Sequence, residues 1–62
     1  MTFAEAFVLM KQGYKMINSD YPDMKTIKLE NGVLVYCVDT GFYYKVYVTT
    51  KLLSSQNFEV LM

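Results

Sequence analysis

Histidine, arginine and tryptophan are absent from the 62-residue chain, and cysteine and proline occur once each. With Cys37 alone, no internal disulfide is possible. Without histidine, the soft metal sites built from His and Cys are excluded too. The commonest general base is missing, and Cys37 has no imidazole to draw off its proton. Charge of one sign is also lacking: six lysines balance six acidic residues, for a formal net charge of zero. That excludes the electrostatic case for a nucleic acid polymer as partner. No apolar run approaches the ~20 residues of a membrane span. The N-terminus has no basic segment followed by an apolar one, so neither a membrane anchor nor a signal peptide is expected. A lone thiol suits a reducing cytoplasm.

Apolar residues, by contrast, are plentiful. They make up 53% of the chain, with six tyrosines and four phenylalanines among them. A domain of this size hides only about 60% of the surface its open chain exposes. Small folds make up the shortfall with disulfides, a metal or a partner subunit. Composition removes the first two here, so association is the expectation for this single domain, residues 1–62.

The spacing predicts a helix over Met1 to Gln12. Thr2 is the N-cap and Glu5, three residues on, completes a capping box. Phe3, Ala6, Phe7 and Met10 form the apolar stripe, and Gly13 supplies a left-handed stop. A short strand follows over Tyr14 to Asn18, then a turn around Pro22 from Ser19 to Asp23. Lys25 to Glu30 alternates as a strand, and Asn31-Gly32 is a strong hairpin signal. Val33 to Asp39 reads as the next strand. Thr40-Gly41 reads as a second tight turn, and Phe42 to Thr49 as the longest strand. A single helical turn over Lys51 to Ser55, capped by Thr49 or Thr50, precedes a last strand over Asn57 to Leu61. The fold class is α+β: one amphipathic helix packed on an antiparallel meander of four to five strands.

Two-residue turns at both hairpins would put Leu29 opposite Leu34, Ile27 opposite Tyr36 and Tyr36 opposite Lys45. One sheet face would then hold Val33, Val35, Cys37, Phe42, Tyr44, Val46 and Val48. The other would hold Ile27, Leu29, Leu34, Tyr36, Tyr43, Lys45 and Tyr47. The aliphatic face is the better floor for the helix. The tyrosine-rich face, with Ile27, Leu29, Tyr36, Tyr43, Lys45 and Tyr47, is left as an expected interface, since uncovered apolar surface on a small protein marks association.

No arrangement of residues suggests catalysis. Asp20 and Asp23 flank Tyr21-Pro22 as ordinary turn formers, and neither glycine turn opens a helix as a phosphate loop would. Binding is the better class. The tyrosines offer flat amphipathic surfaces, and Lys15, Lys25, Lys28 and Lys45 are dispersed cations suited to one or two phosphates. The methionines, Met16 and Met24 among them, serve as adaptable filling. No cofactor is expected.

The opening MTFAEAFVLMKQGYKMINSDY resembles the N-terminus of the second type of Thoeris anti-defence phage proteins, where an amphipathic helix runs into Gly-Lys-Lys-Val-x-Arg-x-x-Trp. The closing TTKLLSSQNFEVLM is similar to that family's last element, Asp-Leu-Leu-Ala-x-Asp-Trp-Glu-Val. Phe3, Ala6, Leu9, Gly13 and Lys15 match at the first end, and Leu52, Leu53, Glu59 and Val60 at the second. Asn18 stands at the arginine position, Tyr21 at the first tryptophan, and Asn57-Phe58 in place of Asp-Trp. The likeness covers roughly half the residues and leaves the middle of the chain unmatched.

The resemblance implies a phage-encoded sponge in the cytoplasm of an infected bacterium. Such a homo-oligomer traps a cyclic ADP-ribose-like signal without breaking a bond. Tyr21 would stack on the base, Asp23 and Met24 would line the same pocket, and Asn18 would hydrogen-bond a ribose or phosphate without arginine's bidentate charge. The alternative is an inhibitor that docks on a host or defence protein through the tyrosine-rich face. A purely structural virion subunit is a third reading.

Overall fold

The capping box at Thr2 forms as the sequence predicts, and it starts helix α1, Phe3–Lys11. Glu5 N–H donates to Thr2 Oγ1 (3.2 Å) and Thr2 N–H donates to Glu5 Oε1 (2.9 Å). Gly13 ends the helix at a φ of 102°, a conformation that needs glycine. In this computed structural model, residues 1–38 and 41–62 are described. Strands β1 (Met16–Asn18), β2 (Thr26–Glu30), β3 (Val33–Cys37) and β4 (Tyr43–Lys45) follow. Helix α2 (Thr50–Ser54) and strand β5 (Phe58–Val60) complete the α+β order. Thr49 caps α2, its hydroxyl accepting from Leu52 N–H.

The five strands form one antiparallel sheet in the order β4-β3-β2-β1-β5. The β2–β3 hairpin has the expected register, with Leu29 opposite Leu34 and Ile27 opposite Tyr36. Asn31 and Gly32 both take positive φ, at 52° and 79°, as a type I′ turn requires. Among the described residues no helix is long and apolar enough to cross a membrane.

The β3–β4 register corrects the sequence expectation by one residue. Tyr36 lies opposite Tyr44, not Lys45, and Val35 takes Lys45. The last pair of the ladder is Cys37 with Tyr43; of the expected Thr40-Gly41 turn, Thr40 lies, like Asp39, outside the described residues. The expected longest strand is in fact a short one, Tyr43–Lys45. Because side chains alternate along a strand, a one-residue slip moves each β4 residue to the opposite face. Tyr44 and Val46 join Ile27, Leu29, Leu34 and Tyr36, while Tyr43 and Lys45 lie with Val35 and Cys37.

The helix covers the face that was expected to be bare. Ala6, Met10, Met16, Ile27, Val46, Leu52 and Phe58 form the buried core, with Phe3, Leu29, Leu34 and Tyr36 packed around it. The Phe3 ring meets the Phe58 ring edge-on, 5.7 Å between centroids. Ile27 is 1% exposed, and Leu29 and Tyr36 are only partly exposed, so these three support the core and do not form an external face. Longer side chains decide the outcome: Ile27, Leu34 and Tyr36 fill space under a helix better than Val33 and Val35. The two sheet edges differ. At β5, Phe58 N–H donates to Met1 O (3.2 Å), and the Met1 amino group donates to Phe58 O (2.9 Å). At β4, all three residues are exposed and no described strand lies along the side away from β3.

Candidate functional site

The β1–β2 connection, residues 19–25, stands out from the sheet because a side-chain network grips its base. Asn18 occupies the last position of β1 opposite Phe58 and is almost fully buried. Its Nδ2 donates to Ser55 Oγ (2.9 Å), and its Oδ1 accepts from Asp20 N–H (2.8 Å). Ser55 Oγ in turn donates to Asp20 Oδ2 (2.7 Å). Asn57 Nδ2 reaches both Asp20 carboxylate oxygens at 3.1 Å. The loop is thereby tied to the segment joining α2 to β5, more than thirty residues away in sequence.

The Asp20 carboxyl titrates below its ordinary range. The Ser55 hydrogen bond contributes most, followed by the Asn57 hydrogen bond, with Lys51 adding a favourable charge. Lys51 also sets its Nζ over the Tyr21 ring, 5.2 Å from the centroid. Within the loop, Tyr21 N–H donates to Asn18 O and Met24 N–H donates to Tyr21 O, both at 3.0 Å. These two tight reversals around Pro22 bring Tyr21 and Met24 onto one ridge.

That ridge has a hollow on each side. One, of about 260 Å³, is bordered by Ile17, Asn18, Ser19, Tyr21, Met24, Lys25 and Glu59. The other, of about 450 Å³, is bordered by Asp20, Tyr21, Asp23, Met24, Tyr36 and Val38. Small-molecule sites fall mostly between about 300 and 1,000 Å³. Tyr21, Pro22 and Met24 belong to both walls.

Of the four ligand-binding residues read from the sequence, Tyr21 and Met24 border both hollows and Asp23 the larger one. Asn18 borders the smaller one, with both ends of its side-chain amide engaged in the internal network. The sequence reading missed Ser55, Asn57 and Lys51 as loop supports. Their signal was faint, since nothing local marks a contact to residues 30 to 37 positions upstream. The expected interface residues divide. Ile27, Leu29 and Tyr36 lie on the covered side, whereas Tyr43, Lys45 and Tyr47 remain at the surface. Lys28 places its Nζ 4.2 Å from the Tyr43 ring centroid. Comparison with family models, with curated proteins and with solved structures finds no match to this chain.

Proposed function

We propose that this protein is a non-catalytic binder that sequesters a cyclic ADP-ribose-like immune signal as a homo-oligomer, and so acts as a phage inhibitor of bacterial antiviral defence. The observation that carries this reading is the rigidly held Tyr21 ridge, flanked by two hollows and approached by Lys51. A base stacks on an aromatic face irrespective of its identity, and Tyr21 supplies that face. Lys25 and Lys51 supply point charges for phosphate, with less geometric selectivity than the guanidinium fork of the Thoeris anti-defence family, whose arginine position is held here by Asn18.

Titration calorimetry against cyclic ADP-ribose isomers and cyclic dinucleotides tests the proposal. Saturable heat is expected from at least one of them. Tyr21→Ala should weaken it about tenfold to a hundredfold, given ~1–3 kcal/mol per stacked base. Absence of heat and of ligand retention across the whole set overturns the reading.

A second reading is favoured by Tyr47, which is among the most exposed large side chains. In it the protein docks on a host or defence protein through Tyr43, Lys45 and Tyr47. Recovery of the same defence protein by wild type and by a Tyr43→Ala, Tyr47→Ala variant would eliminate that docking site.

A further inference from the structure

We infer that β4 is a self-pairing edge: two copies join β4 to β4 antiparallel about a two-fold axis at Tyr44, making one ten-stranded sheet. The inference begins with the ladder. Val46 N–H donates to Leu34 O (2.9 Å), and Tyr36 lies opposite Tyr44. Antiparallel pairing alternates between residues that bond inward and residues that bond outward. Tyr44 and Val46 therefore serve β3, and the N–H and C=O groups of Tyr43 and Lys45 are directed away from the sheet. An edge with such a row of donors and acceptors is a template for another strand. The opposite edge is already engaged, since Met1 bonds to Phe58 on β5.

The residues of β4 select both the occupant and the register. Centring the axis on Tyr44 uses the whole strand and sets Tyr43 opposite the partner copy's Lys45, so that a cation faces a tyrosine in both halves. A register one step further along would set Lys45 against its own copy, and like charges directly opposite are unfavourable. A net charge of zero adds no long-range repulsion between copies.

The exposed surface is of the right order. Phe42 is 76% exposed, Tyr44 52%, Tyr47 84% and Val48 54%. Aromatic side chains bury 150–250 Å² each, so these residues offer on the order of 400–500 Å² per copy. Doubled, that reaches the lower limit of about 1,000 Å² for a specific interface, which fits a weak, concentration-dependent dimer.

Light scattering and sedimentation from about 5 to about 500 μM test this, with the mass expected to rise from one copy towards two. Lys45→Pro removes an outward donor and leaves the bonds to β3 intact, so it should stay at one copy with an unchanged circular dichroism spectrum. Should that variant not fold, Tyr44→Lys sets ammonium against ammonium at the axis and should likewise stay at one copy. Under mild oxidation Tyr44→Cys should cross-link. Directly opposed residues of this type lie about 4.5 Å apart between Cα atoms, within disulfide reach. Phe42→Cys should not.

A single-copy mass across the range overturns the inference, as does a dimer that persists in Tyr44→Lys, or equal cross-linking of the two cysteine variants. A foreign polypeptide strand found on β4 of a wild-type monomer overturns it too, and gives the edge to another protein. The outcome is separable from the ligand proposal. A monomer that binds a cyclic nucleotide defeats the pairing and the homo-oligomeric form of the sponge but leaves ligand capture standing, and a dimer that binds none defeats only sequestration.

Discussion

Removing the Ser55 hydroxyl leaves Asn18 Nδ2 buried without its acceptor, and it also strips Asp20 of its shortest hydrogen bond. An orphaned buried donor costs about 1–3 kcal/mol, so Ser55→Ala should lower the urea midpoint by a corresponding amount with an unchanged slope. The same network fixes a pH dependence. The Asp20 carboxyl titrates below its ordinary 3.8 in the folded state, chiefly through Ser55 and then Asn57. Its contribution is thus full above the unfolded value and is lost as the pH falls through the depressed folded value. Glu5 shifts in the same direction through its bonds with Thr2, so wild type alone cannot separate the two groups. Urea midpoints of wild type and Asp20→Asn, followed downward from pH 6, isolate Asp20, and the variant should lose less stability across the acid limb. At this scale the sequence was partly readable. Tyr21, Asp23 and Met24 follow from their place beside the proline turn. The buried role of Asn18 depends on Ser55 and Asn57, which only the folded chain brings close.

Helix α1 depends on a local signal, and that makes it easy to test. Thr2→Ala removes the acceptor for Glu5 N–H and should cost about 1 kcal/mol, with faster amide exchange confined to the first turn of the helix. The elements that short-range chemistry dictates could be read in advance: the capping box, the Gly13 stop, the Asn31-Gly32 turn and a threonine cap on α2, which the sequence left open between Thr49 and Thr50. Strand β4 could not be. Its register is set by the length of the connection after Cys37, and Thr40-Gly41 fits a two-residue turn in composition alone. Alternating apolar residues on both sides of β3 then gave no penalty against the wrong register. With valines on one face and Ile27, Leu34 and Tyr36 on the other, each side looked like a core. Side-chain volume beneath α1 decides between them, and volume is a property of packed elements, not of a strand read singly.

For the whole molecule, Phe58 is the residue on which most depends. It is fully buried, meets Phe3 edge-on and shares its pairing position with Asn18. A core in so small a domain supplies about 3–5 kcal/mol, and Phe→Ala in a core removes about as much. Phe58→Ala should therefore be largely unfolded at 25 °C, with collapsed proton chemical-shift dispersion. A folded Phe58→Ala would mean that the core rests elsewhere. Strand β5 lies beside β1, although forty residues separate Asn18 from Phe58, so the sheet's order differs from the order of synthesis. On a translating ribosome the helix and the Asn31-Gly32 hairpin emerge early with their greasy undersides uncovered. The strand that completes the sheet, β5, is synthesised after all of them, so the nascent chain stays open to chaperones and proteases until that strand has emerged.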